Sequence, residues 1–427
     1  MFKVLVIAYY FPPAGLSGVQ RTLKFVKYMP DNNWKPTVLT TGKTAYYAHD
    51  YSLLDEIKDK EIEIVRVQGR EINSLLAKRG TVKMPSEIVR KTFSFFSSLF
   101  FVPDNKKSWG RKAYPVAQKL LRQEQFDLIF VTGPPFSTVN LAVKLKKEFN
   151  IPLVIDYRDL WYGYQFGIYV TPYHKYLIKK MEYNALKAAD KVTVTNRKIK
   201  EKLMDYYKFL SFNDIVIITH GFDPQDFQKA GIVKKAGDKL VITYSGIFYE
   251  YITPKYFLKA IKEISIERPD IAGYIKLHFV GILRKENKRL IKKLKLQNYV
   301  YEFGYVNHLE AIKHLLASDV LWLTVGYGKN VETHSAGKLY EYIGSEKPII
   351  GCVPEGALKN TLTEYGASFI CKPDSVTEIK NCIYQVFKLY VSGQLPKPNK
   401  EVVEKHRRDY LTEMMTKEFQ FLIKERV

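Results

Sequence analysis

Short runs of β-branched and aliphatic residues recur along the chain, each followed by a segment of helical periodicity. The runs KVLVIAYY (3–10), KPTVLTT (35–41), DLIFVTG (127–133), PLVIDYR (152–158) and KVTVTN (191–196) are apolar without strict alternation, as strands buried on both faces are. With helical patterns between them they predict an α/β fold, a doubly wound parallel sheet. A second series begins near residue 239 with KLVITYSG, KLHFVG, YVYEFGYV, DVLWLTVG, KPIIGCV and GASFICK. There is no short tandem repeat, only two consecutive α/β series. The polar segment QKAGIVKKAGD (228–238) marks the border, so domains are expected over 1–232 and 233–400. In 401–427, Tyr410, Leu411, Met414, Met415, Phe419 and Leu422 recur at three- and four-residue steps. That is one amphipathic helix, expected to pack back on the N-terminal domain.

A chain of 427 residues suits two domains. Lys and Arg outnumber Asp and Glu by 67 to 44, a net charge of +23. Such a charge asks for an anionic partner: nucleic acid, a phosphorylated ligand or a lipid surface. Cys352, Cys371 and Cys382 cannot all pair, and their spacing does not resemble a metal site, so a reducing compartment is expected. The N-terminal apolar run is short and broken by Pro12, unlike a signal peptide. No run of about 18 apolar residues predicts a membrane span. The expected location is cytoplasmic.

The first strand is not followed by a G-x-G-x-x-G dinucleotide fingerprint. Two Rossmann-like domains then suggest a ligand in the cleft between them, at the carboxyl ends of strands. HSAGKLYEYIGSEKPIIG (334–351) predicts a short helix running into a buried strand. A lysine in the first turn opposes the helix dipole at a cost of roughly 0.3–1 kcal/mol. Lys338 makes sense there if a phosphate lies at the helix start, with Ser335 as cap and Gly337 allowing close approach. Glu341, on the same face, is then placed for a ribose diol. The alternative is an ordinary surface Lys–Glu pair.

GKLYEYIGSEKPIIG resembles the donor-binding helix of family-4-like glycosyltransferases of the GT-B fold. YYFPPAGLSGVQRTLKFVKYM, VTGPPFST, DYRDLW, HGFDPQDF and FGYV resemble further motifs of that group, in the same order. The resemblance implies two Rossmann-like domains whose parallel sheets face a central cleft. It implies a sugar transferred from a nucleotide donor (UDP- or GDP-sugar), with retention of configuration, in the biosynthesis of capsule, lipopolysaccharide or other cell-surface polysaccharide. Lys338 falls near the diphosphate and Glu341 on the ribose. Gly15 and Gly18 fall in the phosphate loop, with Arg21 on the next helix also facing the cleft. Gly246 joins the donor site, and Tyr305 and Val306 fall at the nucleobase. His220 stands where the family often has Asn. Two departures stand out. The family's Glu-x7-Glu would put its first carboxylate at Thr333, where the nearest glutamate is Glu332. SGIFYEYITPK lacks the Arg that many members carry after the first strand of the second domain. Lys338 would then carry more of the phosphate charge.

In DYRDLW, Arg158 and Asp159 either pair with each other or act on the acceptor hydroxyl, and with His220 they are the catalytic candidates. No D-x-D pair stands at a strand end, so metal-independent transfer of a hexosyl or N-acetylhexosaminyl group, without cofactor, is expected. In 87–112, Phe93, Phe95, Phe96, Leu99, Phe100 and Phe101 are flanked by Arg90, Lys91, Lys106, Lys107, Arg111 and Lys112. Aromatics with basic flanks suit an anionic membrane interface. Phe95, Phe96, Phe100 and Phe101 are the acceptor-side or membrane candidates, and a core helix is the alternative. The expected partners are a nucleotide sugar, a glycan or lipid-linked acceptor, and the inner face of the plasma membrane, held peripherally. A GT-B sugar-nucleotide epimerase would need acid–base carboxylates or histidines around the sugar, in which these motifs are poor. A non-enzymatic nucleic-acid- or membrane-binding protein would use the charge, but the lysines spread over both domains and no specific nucleic-acid motif is present.

Overall fold

A computed structural model describes residues 1–15, 17–70, 72–75, 80–82, 85–235 and 237–424. The chain divides into two compact units: 1–220 together with 408–427, and 221–407. The sequence-based borders stood at 232/233 and 400/401.

Unit 1 holds seven parallel strands: β1 (Phe2–Ile7), β2 (Trp34–Thr41), β3 (Glu63–Val67), β4 (Leu128–Gly133), β5 (Leu153–Tyr157), β6 (Lys191–Val194) and β7 (Ile215–Ile217). Their order is β3-β2-β1-β4-β5-β6-β7. The direction of winding reverses between β1 and β4, which pair from Val4↔Leu128 to Ile7↔Val131. The carboxyl ends of strands at such a reversal are where sheets of this kind bind ligands.

Unit 2 holds six parallel strands: β8 (Leu240–Ser245), β9 (Ile275–Val280), β10 (Val300–Gly304), β11 (Val320–Thr324), β12 (Ile349–Cys352) and β13 (Ser368–Cys371). The order β10-β9-β8-β11-β12-β13 places its own reversal between β8 and β11. Cys352 and Cys371 are register partners on β12 and β13, and with Cys382 they are buried free thiols.

The C-terminal segment forms two helices where one was expected, Lys400–Glu404 and Arg408–Lys424. The break has a backbone cause. Phe222 N donates to His406 O at 3.0 Å, and Phe222 forms a bridge with Arg407, so this stretch is extended beside the other point where the chain changes unit. Arg408–Lys424 then packs on the helix Ser17–Tyr28 within unit 1, burying Leu411, Met415, Phe419 and Leu422. Each such side chain contributes about 1.5–3 kcal/mol. Among the described residues no helix is long and apolar enough to cross a membrane.

Candidate functional site

In unit 2 the chemistry gathers at the carboxyl ends of β8, β9 and β10. Gly246 follows β8, Gly281 follows β9, and Gly304 ends β10. They form a row: Gly246 N donates to Val280 O and Gly281 N to Gly304 O, both at 2.7 Å. Gly281 has φ +123°, and a Cβ there would lie 2.4 Å from the Gly246 carbonyl oxygen, so only glycine lets the loops stack this closely.

Lys338 is the second residue of the helix Gly337–Gly344 and reaches over this row. Its Nζ is hydrogen bonded to the Tyr244 hydroxyl at 2.6 Å and lies 4.0 Å from the centre of that ring. Gly246 leaves the room: a Cβ there would sit 2.6 Å from Nζ. Among the described residues Lys338 makes no ion pair. Desolvation pushes its ammonium down to about 7, against the pull of the Glu341 carboxylate. Burial, with Lys338 adding to it, pushes the imidazole of His334 down to about 4. No side chain caps the helix at Ala336, and its first turn holds no acid. Lysine ammonium, helix dipole and uncapped amides thus converge on one place suited to an anion.

Ser335 does not cap the helix as expected; it is buried, with its hydroxyl 3.3 Å from that of Tyr340. Gly337 is the first helical residue. Glu341 stands 3.8 Å from His308 Nδ1, while His308 Nε2 is 3.0 Å from Asp226 Oδ2. Tyr305 follows β10 exposed, with Val306 half-buried beside it. Glu332 lies in a single 3-10 turn, Val331–Thr333, held against Gly356, where a Cβ would come 2.4 Å from Glu332 Cα. Tyr244, Gly281 and His308 were missed by sequence reasoning: Tyr244 is one aromatic in a buried strand, 94 positions from Lys338.

In unit 1 Gly15 lies in the loop that leaves β1, whereas Gly18, expected in that loop, is the second residue of the helix Ser17–Tyr28. Gly15 is anchored by its amide to Ala48 O at 2.9 Å. Arg158, just past β5, is buried and donates to the carbonyls of Gly18, Pro134 and Gly133. It braces the first turn of the helix Ser17–Tyr28 against the end of β4 and the loop after it, and its guanidinium hydrogen bonds do not go to Asp159. Asp159 is half-buried, with Gln165 Nε2 3.4 Å from its carboxylate. Burial pushes Asp159 up to about 6, though Arg158 opposes this. His220 is half-buried at the end of the unit's first segment.

Arg21 is corrected. Expected at an open site, it is 1% exposed and forms a two-pronged pair with Asp156, Nη2 to Oδ1 at 2.7 Å and Nε to Oδ2 at 3.0 Å. Its remaining donors reach Thr219 O and Ile218 O. Thr132 and Thr193 complete the shell around Asp156. Burial alone would raise this carboxyl, but Arg21 and the threonine hydroxyl outweigh it and hold the group below the usual range. Arg21 ties the helix Ser17–Tyr28 to β5 and β7; it is not available to a ligand.

Phe95, Phe96, Phe100 and Phe101 lie on or beside the helix Glu87–Phe100, and all four are exposed. The core-helix alternative fails, because no residue of this helix is buried.

Residues 19–226 match the family described as Glycosyltransferase Family 4, and residues 225–406 match Glycosyl transferases group 1. No curated protein sequence gives a significant match. Among solved structures, sucrose-phosphate synthase from Thermosynechococcus elongatus superposes with TM-score 0.67 at 12% identity, covering 100% of both chains. HepE from Anabaena, solved with UDP and glucose, gives 0.61 at 14% identity over 98% of this chain and 100% of its own. The E. coli trehalose-6-phosphate protein bound with UDP-2-fluoro glucose gives 0.63 at 12% identity, covering 98% of each. At such identities the likeness is one of fold, two parallel-sheet units in a GT-B arrangement. With the two family matches together spanning nearly the whole chain, the protein belongs to the group 1 glycosyltransferases of the GT-B fold.

Proposed function

We propose that the protein transfers a hexosyl or N-acetylhexosaminyl group from a UDP- or GDP-sugar to a glycan or lipid-linked acceptor. The observation that carries this reading is Lys338, held on Tyr244 over the glycine row at an uncapped helix start. The structural neighbour HepE, solved with UDP and with UDP-glucose, supports a nucleotide-sugar donor. The apo lipopolysaccharide outer core galactosyltransferase WaaB, another neighbour at 11% identity, fits a role in cell-surface polysaccharide. On this reading the enzyme works in the cytoplasm, at the inner face of the plasma membrane.

The reaction breaks the bond between the anomeric carbon and the diphosphate oxygen. The nucleoside diphosphate leaves with the bonding pair. The acceptor hydroxyl attacks the same face, giving retention, and its proton passes to the departing phosphate oxygen. Lys338 and the helix amides stabilise negative charge as it grows on that oxygen. They supply the charge a divalent cation would otherwise supply, so transfer is proposed to be metal-independent. Glu341 orients the ribose, and Tyr305 and Val306 meet the base. In unit 1, Arg158 holds the start of the helix Ser17–Tyr28 in place, and Asp159 and His220 address the acceptor.

Thermal unfolding with a panel of nucleotides in EDTA tests the reading. One nucleoside diphosphate is expected to raise the melting temperature of the wild type by mass action, and Lys338→Ala is expected to abolish the gain. If no nucleotide shifts the transition, or if Lys338→Ala keeps the shift, the assignment falls.

A further inference from the structure

We propose that the helix Glu87–Phe100 and the outer face of the helix Pro172–Ala188 form one surface that seats on an anionic phospholipid bilayer. This deepens the membrane part of the function proposed above and rests on it only there, since docking needs no nucleotide.

The first helix is apolar outside rather than inside. Ile88, Phe93, Phe96 and Phe100 are 80%, 70%, 54% and 73% exposed. Phe95 and Phe101 stand beside them, also exposed. Isolated exposed apolar residues need no explanation, but a contiguous patch of this kind marks a docking surface. A helix of this length with nothing buried is marginal on its own in water.

The second helix supplies the charge. Thr171 caps it and Pro172 opens it. It carries Lys175, Lys179, Lys180 and Lys187 outward, with Tyr173, Tyr176 and Tyr183 among them. Its only carboxylate, Glu182, points inward and is fully buried. The outer face therefore carries lysines and tyrosines and no acid.

One hydrogen bond joins the two helices. His174 Nε2 lies 3.1 Å from the carbonyl oxygen of Leu99. A carbonyl only accepts, so Nε2 carries the proton there, and in the neutral ring Nδ1 accepts from Thr171 Oγ1 at 2.7 Å. The last turn of the phenylalanine helix thus meets the first turn of the lysine–tyrosine helix within one unit. Phenyl rings to enter the headgroup boundary, tyrosines at its level and lysines for lipid phosphates are the elements an anionic interface recognises. Charge argues against a second copy as the occupant: with a net charge of +23, self-association here would bring like charges together.

The full chain is sedimented with vesicles of phosphatidylcholine alone, and with vesicles in which roughly a third of the lipid is phosphatidylglycerol. Binding to the anionic vesicles is expected to be at least about tenfold stronger, and to weaken as salt screens the lysines. Phe96→Ser with Phe100→Ser, and separately Lys179→Glu with Lys180→Glu, are each expected to lose about tenfold or more. All four positions are exposed, so the melting temperature is expected to stay unchanged. Should the phenylalanine pair fail to fold, the lysine pair carries the test. The proposal is overturned if the wild type shows no preference for anionic vesicles, or if folded variants bind as the wild type does. It is equally overturned if the wild type ignores vesicles and forms a dimer that the phenylalanine variants dissolve. A nucleotide panel run alongside separates the two readings: vesicle binding without any nucleotide-induced stabilisation sinks the donor site and leaves this surface standing, and the reverse sinks this surface alone.

Discussion

Lys338 Nζ is within 2.6 Å of the Tyr244 hydroxyl and 4.0 Å from the centre of the same ring, so the side chain is held by its charge and by its hydrogen bond at once. The phenol stays neutral, because burial raises Tyr244 well above its ordinary range. The lysine, pushed down to about 7, changes its charge near neutral pH. Its proton is lightly held until an anion arrives. A nucleoside diphosphate raises the ammonium's pKa, so binding takes up a proton at any pH between about 7 and the higher value in the complex. Affinity is therefore expected to fall as pH rises above about 7, by up to about tenfold per unit. Calorimetry at about pH 8 in two buffers of different ionisation enthalpy reads the proton directly. Equal heats in the two buffers would contradict the linkage.

Gly246→Ala is a second probe of the same pair. Its Cβ would lie 2.6 Å from Lys338 Nζ, and its φ of +128° disfavours any side chain. The nearest obstruction is the end of a flexible lysine, so the lysine yields rather than the backbone. Stability is expected to drop by about 1–3 kcal/mol from the strained φ. Nucleotide-induced stabilisation is expected to vanish in protein that is still folded, as shown by circular dichroism. A variant that responds to nucleotide like the wild type would remove Lys338's position from the argument.

Arg21 and Asp156 make a prediction that separates scaffold from site. Removing one partner of a buried pair strands the other charge, at a cost of about 3–5 kcal/mol. Arg21→Ala is expected to lose that much in urea unfolding near neutral pH. The Asp156 carboxyl is held below its unfolded value, so the wild-type contribution is present above about pH 4 and is lost as pH falls through the lower folded value. The folded fraction of the variant is expected to bind nucleotide as the wild type does. A selective loss of nucleotide binding with stability intact would return Arg21 to the donor site.

These cases show where the sequence was legible. Parallel strands buried on both faces are written as apolar runs, so both sheets could be found from KVLVIAYY and KLVITYSG onward. Lys338 stood out because a cation at a helix start is locally unfavourable and demands a reason. Arg21 was misplaced for the opposite reason: nothing local is odd about it, and its partner Asp156 is 135 positions away. Arg158 was legible as unusual but not as a brace, since it binds carbonyl oxygens, which no side-chain pattern records. The break at 405–407 likewise depends on backbone pairing with Phe222, far back in the chain.

Glu182 joins the site loop to the proposed membrane face, and its titration can be followed. Its carboxylate accepts from Tyr162 N at 3.0 Å and from the Tyr207 hydroxyl at 2.6 Å, which pins the turn after DYRDLW to the helix Pro172–Ala188. Burial outweighs these donors and pushes the group up to about 7 from its ordinary 4.5. A raised folded value means that the native state holds the proton more tightly than the unfolded chain. Its contribution is full below about pH 4.5 and is lost as pH rises through about 7. Glu182→Gln keeps an acceptor for both donors and removes the charge. It is expected to match the wild type near pH 4.5 and to exceed it by about 1–3 kcal/mol at pH 8, because only the wild type must bury an anion there. Urea unfolding across this range checks both the sign and the window. A variant less stable than the wild type at pH 8 would mean that the ionised carboxylate is itself the grip on Tyr162, and that the turn is held by charge rather than despite it.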